Sequence, residues 1–283
     1  VLEDVESVYT GMRKVLVEDN IVDQAYDSNY ENLELDTYVN EFAALTSLTN
    51  EKRAAFVRKT RTGSIVKCKN ISPWGLKPRN KEQMVAMNLL MDPAVSVVSL
   101  IGRAGSGKTL LALAAGLEQT LEKSLYNQII VTKPVQPVGK DIGFLPGTMQ
   151  EKMDPWIAPI KDNLKFLFKN DKINLDMYLE NGQIEVEAMT YIRGRSITNS
   201  FIIIDEVQNM TRHEIKTVLT RVGEGTKIVL TGDIEQIDNV YINSTTNGLT
   251  YVVEKFKDQV FSGHILLTKG ERSEVATISS DIL

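Results

Sequence analysis

Residues 95–109 read Val95-Ser96-Val97-Val98-Ser99-Leu100-Ile101-Gly102-Arg103-Ala104-Gly105-Ser106-Gly107-Lys108-Thr109, and the chain continues Leu110-Leu111-Ala112-Leu113-Ala114-Ala115. A β-branched run, the spacing G-x-x-x-x-G-K-T and an Ala/Leu-rich run follow one another without interruption, which predicts strand, phosphate-binding loop and helix in that order. Glycines let backbone N–H groups turn inward around an anion, and the helix beginning near Lys108 points its positive end at the same place. The backbone of Gly102, Arg103, Ala104, Gly105, Ser106, Gly107, Lys108, Thr109 and Leu110 is therefore the expected phosphate cradle. Lys108 should reach the β- and γ-phosphates, and the Thr109 hydroxyl should hold Mg²⁺.

The other apolar runs extend this unit into a sheet. Gln128 to Lys133 reads as a second buried strand, and Ile184-Glu185-Val186 as a short one. Phe201-Ile202-Ile203-Ile204 is too apolar for a sheet with one wet face, so it reads as central and parallel. It runs directly into Asp205-Glu206. In a phosphate-loop enzyme the first of two such acids belongs on the metal, and the second orients or deprotonates the attacking water. Lys227 to Thr231 is the last strand of this kind before Gly232-Asp233-Ile234-Glu235-Gln236, whose Asp233 and Gln236 are placed to feel the γ-phosphate. Between the strands, Trp156, Ile160, Leu164 and Leu167 recur on one helical face, and Met84, Met87, Leu90 and Met91 read as core packing on another. Strands alternating with helices, each delivering polar residues at its C-terminal end, predict an α/β fold, doubly wound, with the site along that edge. Gln83, some twenty residues ahead of the loop, could read an adenine edge, since an amide donates and accepts at once. Arg193 and Arg195, around Gly194, read equally as a turn with solvated charges or as an anion grip.

The first eighty residues differ in charge rather than in hydropathy. Residues 1–50 carry eleven acids against Arg13 and Lys14, and residues 51–81 carry ten bases against Glu51 alone. Residues 1–36 read as short strands and turns or a connector. Phe42 to Leu45, Ala54 to Lys59 and Ser64 to Lys69, the last two separated by Thr62-Gly63, predict a hairpin within a small sheet or barrel. Ser72-Pro73-Trp74-Gly75 and Lys77-Pro78-Arg79 then punctuate the chain. A β-rich unit at 1–76 and an ATPase unit at 77–283 are the expected division. The basic block, interleaved with Phe56 and Trp74, is expected to face a polyanion, with Arg58, Lys59 and Arg61 as leading phosphate contacts.

No apolar run approaches the roughly 20 residues that span a bilayer, and the N-terminus lacks a signal pattern, so a cytoplasmic location is expected. A single cysteine, Cys68, excludes an internal disulfide framework, and two histidines cannot build a Cys/His zinc site. His213 and His264 are expected on the surface. The chain opens on Val1, which leaves a fragment and a processed product both open.

Taken together, Gly102 to Thr109, the strand ending Asp205-Glu206-Val207-Gln208-Asn209, the Thr231-Gly232-Asp233 turn with Gln236, and Gly270-Glu271-Arg272-Ser273-Glu274 resemble the PhoH family of ATPases. Gly143-Phe144-Leu145-Pro146-Gly147 followed by Glu151 to Trp156 looks like that family's own signature. The resemblance covers residues 80–283. It implies a RecA-like ATPase core similar to that of superfamily 1 helicases, with ATP and Mg²⁺ as cofactors. Residues ahead of it look like the part that joins PhoH to a nuclease-like PIN domain in fused PIN-PhoH proteins, which are associated with RNA unwinding and cleavage. No PIN domain is identifiable here, so nuclease activity is not carried over.

The reading that follows is an ATP-dependent RNA helicase or translocase, acting on single-stranded RNA, with DNA left open as a second substrate. Lys108 and Thr109 would hold phosphates and metal, Asp205 the metal, Glu206 the water, and Gln236 would report hydrolysis. Arg272 resembles the arginine that a helicase core provides in cis. A lone core of this kind lacks the second wall of a helicase site, so a head-to-tail homo-hexameric ring is expected, with Arg193 or Arg195 lent in trans. Two other classes stay open: a small-molecule kinase using the same loop, and a nucleotide-switched RNA-binding module.

Overall fold

In a computed structural model, the structure describes residues 8–27, 30, 33–134, 149–169, 171–189, 196–239 and 241–270, and for 149–156 and 188 the backbone alone. Six parallel strands form the main sheet: β5 (Val97–Gly102), β6 (Gln128–Lys133), β7 (Ile184–Ala188), β8 (Ser200–Ile204), β9 (Lys227–Gly232) and β10 (Ser262–Leu267). Their order is β10-β5-β9-β8-β6-β7, so β8 lies inside the sheet with parallel neighbours on both sides, as its unbroken apolar run predicts.

Side chains that alternate along each strand feed two separate cores, because successive Cβ atoms point to opposite faces. Phe201 and Ile203 of β8 join the core covered by α2 (Lys81–Leu90), α3 (Lys108–Leu117), α4 (Met149–Leu167) and α5 (Lys172–Glu180). Ile202 and Ile204 join the opposite core, covered by helices at Arg212–Leu219 and Gly248–Phe256, here α6 and α7. Of the expected helical faces, Met84, Met87 and Leu90 are buried on α2 with Met91 half-buried after it, and Ile160, Leu164 and Leu167 are buried on α4; the Trp156 side chain lies outside the described residues. Small residues let α3 lie close on the sheet, where a Cβ on Gly116 would come 2.9 Å from the Phe201 ring. Among the described residues no helix is long and apolar enough to cross a membrane.

Residues before 76 form a second sheet, β1-β2-β3-β4, from Met12–Val17, Phe42–Ser47, Ala54–Lys59 and Ile65–Lys67. The expected β3–β4 hairpin around Thr62-Gly63 is present. Of the two readings of residues 1–36, short strands or a connector, the described part at 12–26 takes the more regular one. β1 pairs in parallel with β2, which demands a crossover, and α1 (Asp19–Tyr26) provides it.

The small sheet is fastened tightly to the large one. Phe42 and Cys68 are buried in the α2–α5 core. Gly11 passes so close to β10 that a Cβ there would lie 1.9 Å from the His264 carbonyl oxygen. Asn40 Nδ2 donates to the Val260 and Ser262 carbonyls at 3.1 and 2.9 Å. Arg58 donates to Asn40 Oδ1 at 2.9 Å and pairs with Asp92. Lys227, buried at the start of β9, donates to the Leu89 and Asp92 carbonyls, both at 2.8 Å. Burial pushes the Lys227 ammonium down to about 7, against the pull of Asp92.

These contacts correct two expectations. Arg58 is a buried structural cation, not an outward phosphate contact. The aromatic residues of the basic block also turn inward: Phe56 packs against the α2–α5 core, and the Trp74 indole N–H donates to the Leu167 carbonyl at 3.0 Å. Part of the acidic block answers the basic one, since Arg53 pairs with Asp19 and Asp23. Lys59 is half-buried, while Arg61, Lys69, Lys77 and Arg79 stay exposed. His213 is exposed as expected, but His264 is buried in β10 with Nδ1 on Ser99.

Candidate nucleotide site

β5 delivers Gly102 to the C-terminal edge of the sheet, and the chain turns through Gly105 and Gly107, at φ +82° and +88°, before α3 begins. Both values favour glycine, because a Cβ is strained there. The Gln83 amide braces the loop from behind: Nε2 donates to the Ser106 carbonyl at 3.1 Å and Oε1 accepts from the Arg79 N–H at 2.9 Å. Gln83 is buried and does not line the cavity in front of the loop, so its observed contacts tie α2 to the loop rather than present an edge to a base. Lys108 Nζ folds over the loop and donates to the Gly102 and Arg103 carbonyls at 2.6 and 2.9 Å.

The carboxylate strand meets the loop from the side. Thr109 Oγ1 donates to Asp205 Oδ2 at 2.9 Å, and Thr231 Oγ1 from β9 donates to Oδ1 at 2.6 Å. Asp205 is thus held by a hydroxyl from each neighbouring element. Glu206 follows in a left-handed backbone conformation, φ +57°, uncommon for a residue with a Cβ. Its Oε1 lies 3.3 Å from Lys133 Nζ, at the end of β6.

A third set of bonds ties these parts to the turn after β9. Asp233 Oδ2 accepts the Ala104 N–H at 2.7 Å, and Arg103 Nε pairs with Glu235 at 3.1 Å, so the loop tip is clipped to that turn twice. Gln208 bridges carboxylate strand and turn: Oε1 accepts the Asp233 N–H at 3.1 Å, and Nε2 donates to the Gln236 carbonyl at 3.0 Å. Loop, carboxylates and turn enclose a cavity of about 740 Å³, within the range of small-ligand sites. Lys108, Thr109, Leu110, Asp205, Glu206 and Gln236 all line it, and Asn163 of α4 closes one side.

The residues fit a nucleoside triphosphate with Mg²⁺. Among the described residues no three His, Cys, Asp or Glu side chains gather as a metal cage. One hydroxyl and one carboxylate are what Mg²⁺ takes from protein when phosphates and water complete its shell. Thr109 and Asp205 would hold the ion, which neutralises charge on the phosphate oxygens.

Arg193, Arg195 and Arg272 lie outside the described residues, as do Gly143 to Gly147. Gln208 and Thr231 stood in the quoted motifs without an assigned role, and Lys133 was not anticipated at the site. Lys133 did leave a signal: it is the one charged residue ending the apolar run Ile129 to Lys133, at the edge where α/β sheets place ligands.

Comparison with known proteins gives the family. A family model described as PhoH-like protein matches residues 75–277. Protein PhoH2 of Bacillus subtilis is 47% identical over 99% of this chain, and Protein PhoH2 of Thermobispora bispora 36% identical over 99%. The chain spans 65% and 64% of their lengths. Protein PhoH2 of Mycolicibacterium smegmatis is 42% identical over 74% of the chain and 48% of its own length. The chain belongs to the PhoH family of P-loop ATPases.

Proposed function

We propose that this chain is an ATP-dependent RNA helicase or translocase, in which hydrolysis between the phosphate loop and Glu206 drives movement along single-stranded RNA. The observation that carries the reading is the Gln208 bridge. It connects the strand bearing Asp205 and Glu206 to the Asp233–Gln236 turn, and that turn is clipped to the loop through Ala104 and Arg103. A change at the γ-phosphate end would move all three parts together. Coupled hydrolysis needs that property, and a kinase needs an acceptor pocket instead.

RNA is favoured over other polyanions by the resemblance to fused PIN-PhoH proteins. Residues 1–76 would add a nucleic-acid surface through Lys59, Arg61 and Lys69, with the ATPase unit at 77–283. Gln83 would contact the base end of the nucleotide only by exchanging a present bond. A hexameric ring, a trans role for Arg193 or Arg195 and a cis role for Arg272 complete the proposal, with a PIN nuclease domain as a partner outside this chain.

Polynucleotide-stimulated ATP turnover tests the reading. Phosphoryl transfer to a small acceptor, indifferent to polynucleotide, would replace it with the kinase. Stimulated turnover without strand displacement would reduce it to a switched binding module. Light scattering with ATP tests the ring, and so does mixing Arg193→Ala with Lys108→Ala: partial rescue is expected if the arginine acts in trans, and no rescue in verified mixed rings returns it to its own subunit.

A further inference from the structure

Lys133 ends β6, the strand beside β8, and the two strands finish level. Thr132 pairs with Ile204, and the Asp205 N–H bonds the Thr132 carbonyl at 2.9 Å. That register brings the Lys133 ammonium to 3.3 Å from Glu206 Oε1. The partners are unequally placed: the Lys133 side chain is 12% exposed and the Glu206 side chain 40%. The cation is the more buried partner, while the carboxylate stands at the cavity wall, the more exposed of the two. Glu206 also carries its strained left-handed backbone at this point, and such strain clusters at active sites and switch regions.

A carboxylate that positions attacking water must turn its lone pairs toward the cavity. An ammonium on one of its oxygens holds it aside instead. We propose that Lys133 is a positioning residue that keeps Glu206 in a resting orientation, and that a backbone phosphate of bound nucleic acid takes the place of the carboxylate on Lys133. This rests on reading the site as a polynucleotide-coupled ATPase, and it supplies the coupling. The exchange breaks no covalent bond and moves no proton. One charge-assisted hydrogen bond replaces another of similar strength, so the two states are close enough in free energy for a ligand to choose between them. A lysine suits the role because its ammonium is a point charge that accepts a carboxylate or a phosphate equally.

A pair that only braced the site would make turnover fall on removal, whereas a restraint makes it rise. The experiment compares parent, Lys133→Met, Lys133→Gln and Lys133→Arg for ATP turnover with and without poly(U), and for poly(U) affinity across salt. Lys133→Met and Lys133→Gln are expected to raise kcat without RNA by about two- to fivefold, the rate equivalent of one partly exposed ion pair. KM for ATP should hold and most RNA stimulation should disappear. The slope of log affinity against log salt should fall by about 0.7, the value of one phosphate contact on a single strand. Lys133→Arg should restore low basal turnover and stimulation. Basal rates at or below the parent in both neutral variants, or loss of nucleotide binding in both, overturn the proposal. A parent that no polynucleotide stimulates would instead defeat the functional reading, and the neutral variants' basal rates would still decide the restraint separately.

Discussion

Replacing Arg58 by methionine removes the cation that joins the two sheets while keeping most of its hydrocarbon stem. Arg58 is 6% exposed and serves both Asn40 Oδ1 and the Asp92 carboxylate. Burial alone would raise Asp92; the hydrogen bond from Arg58, the Ala94 N–H and the charges of Arg58 and Lys227 outweigh it and hold the carboxyl below its ordinary range. Removing one partner of a fully buried pair costs about 3–5 kcal/mol, because the other charge is stranded. Asp92 is 25% exposed and keeps its Ala94 bond, so about 2–3 kcal/mol is the better figure once solvent screening is allowed for. With each kcal/mol worth about 2–4 °C in a chain of this size, Arg58→Met should melt about 5–10 °C below the parent. Urea unfolding of Arg58→Met, Asp92→Asn and the double variant completes the cycle. The double variant should be more stable than the sum of the single losses by at least about 1 kcal/mol, since the second change removes the stranded charge. A loss under about 0.5 kcal/mol, or strict additivity, would refute the seam as an ion-paired joint.

Lys108→Ala should lose nucleotide affinity, whereas Glu206→Gln should bind nucleotide like the parent, which fluorescent-nucleotide titration would show. Equal affinities for both would remove Lys108 from the phosphates. His264 adds an acid lability: burial holds its folded value down to about 4 against 6.5 for the free side chain, so only the unfolded chain takes the proton as pH falls between those values. The resulting loss is roughly 2 kcal/mol at pH 5 and levels off below pH 4. The stability difference between parent and His264→Asn in urea should shrink by about that much from pH 7 to pH 5, and a constant difference would acquit the histidine. Neutralising Lys59, Arg61 and Lys69 together should weaken RNA binding at low salt and flatten its salt dependence; unchanged slopes would exclude this face.

The parts legible in the sequence are those where local chemistry and burial agree. Gly102 to Thr109 announces itself through its glycines, and Phe201 to Ile204 through an apolar run that only an interior parallel strand can bury. What escaped notice depends on partners far away in the chain. β1 is an edge strand with one weakly apolar face, so residues 12–17 leave short strand and connector both open until β2 lies beside them. Arg58 reads as a phosphate contact and Lys227 only as the start of a strand, because nothing near them in sequence reveals the aspartate and the carbonyls that receive them. Gln83 looks like a base reader from its distance to the loop, and only the fold shows its amide spent on Ser106 and Arg79. His264 sits at the start of β10, with no local sign that Ser99 and Tyr9 will enclose it.

ATP turnover by the parent and by Glu206→Gln, each with and without single-stranded RNA, bears most directly on the claim that this cavity hydrolyses ATP under nucleic-acid control. The parent should hydrolyse slowly alone and several times faster with RNA, while Glu206→Gln, still binding nucleotide, should be slow in both conditions. Parental turnover in Glu206→Gln, or a parent rate that RNA leaves unchanged, would contradict it.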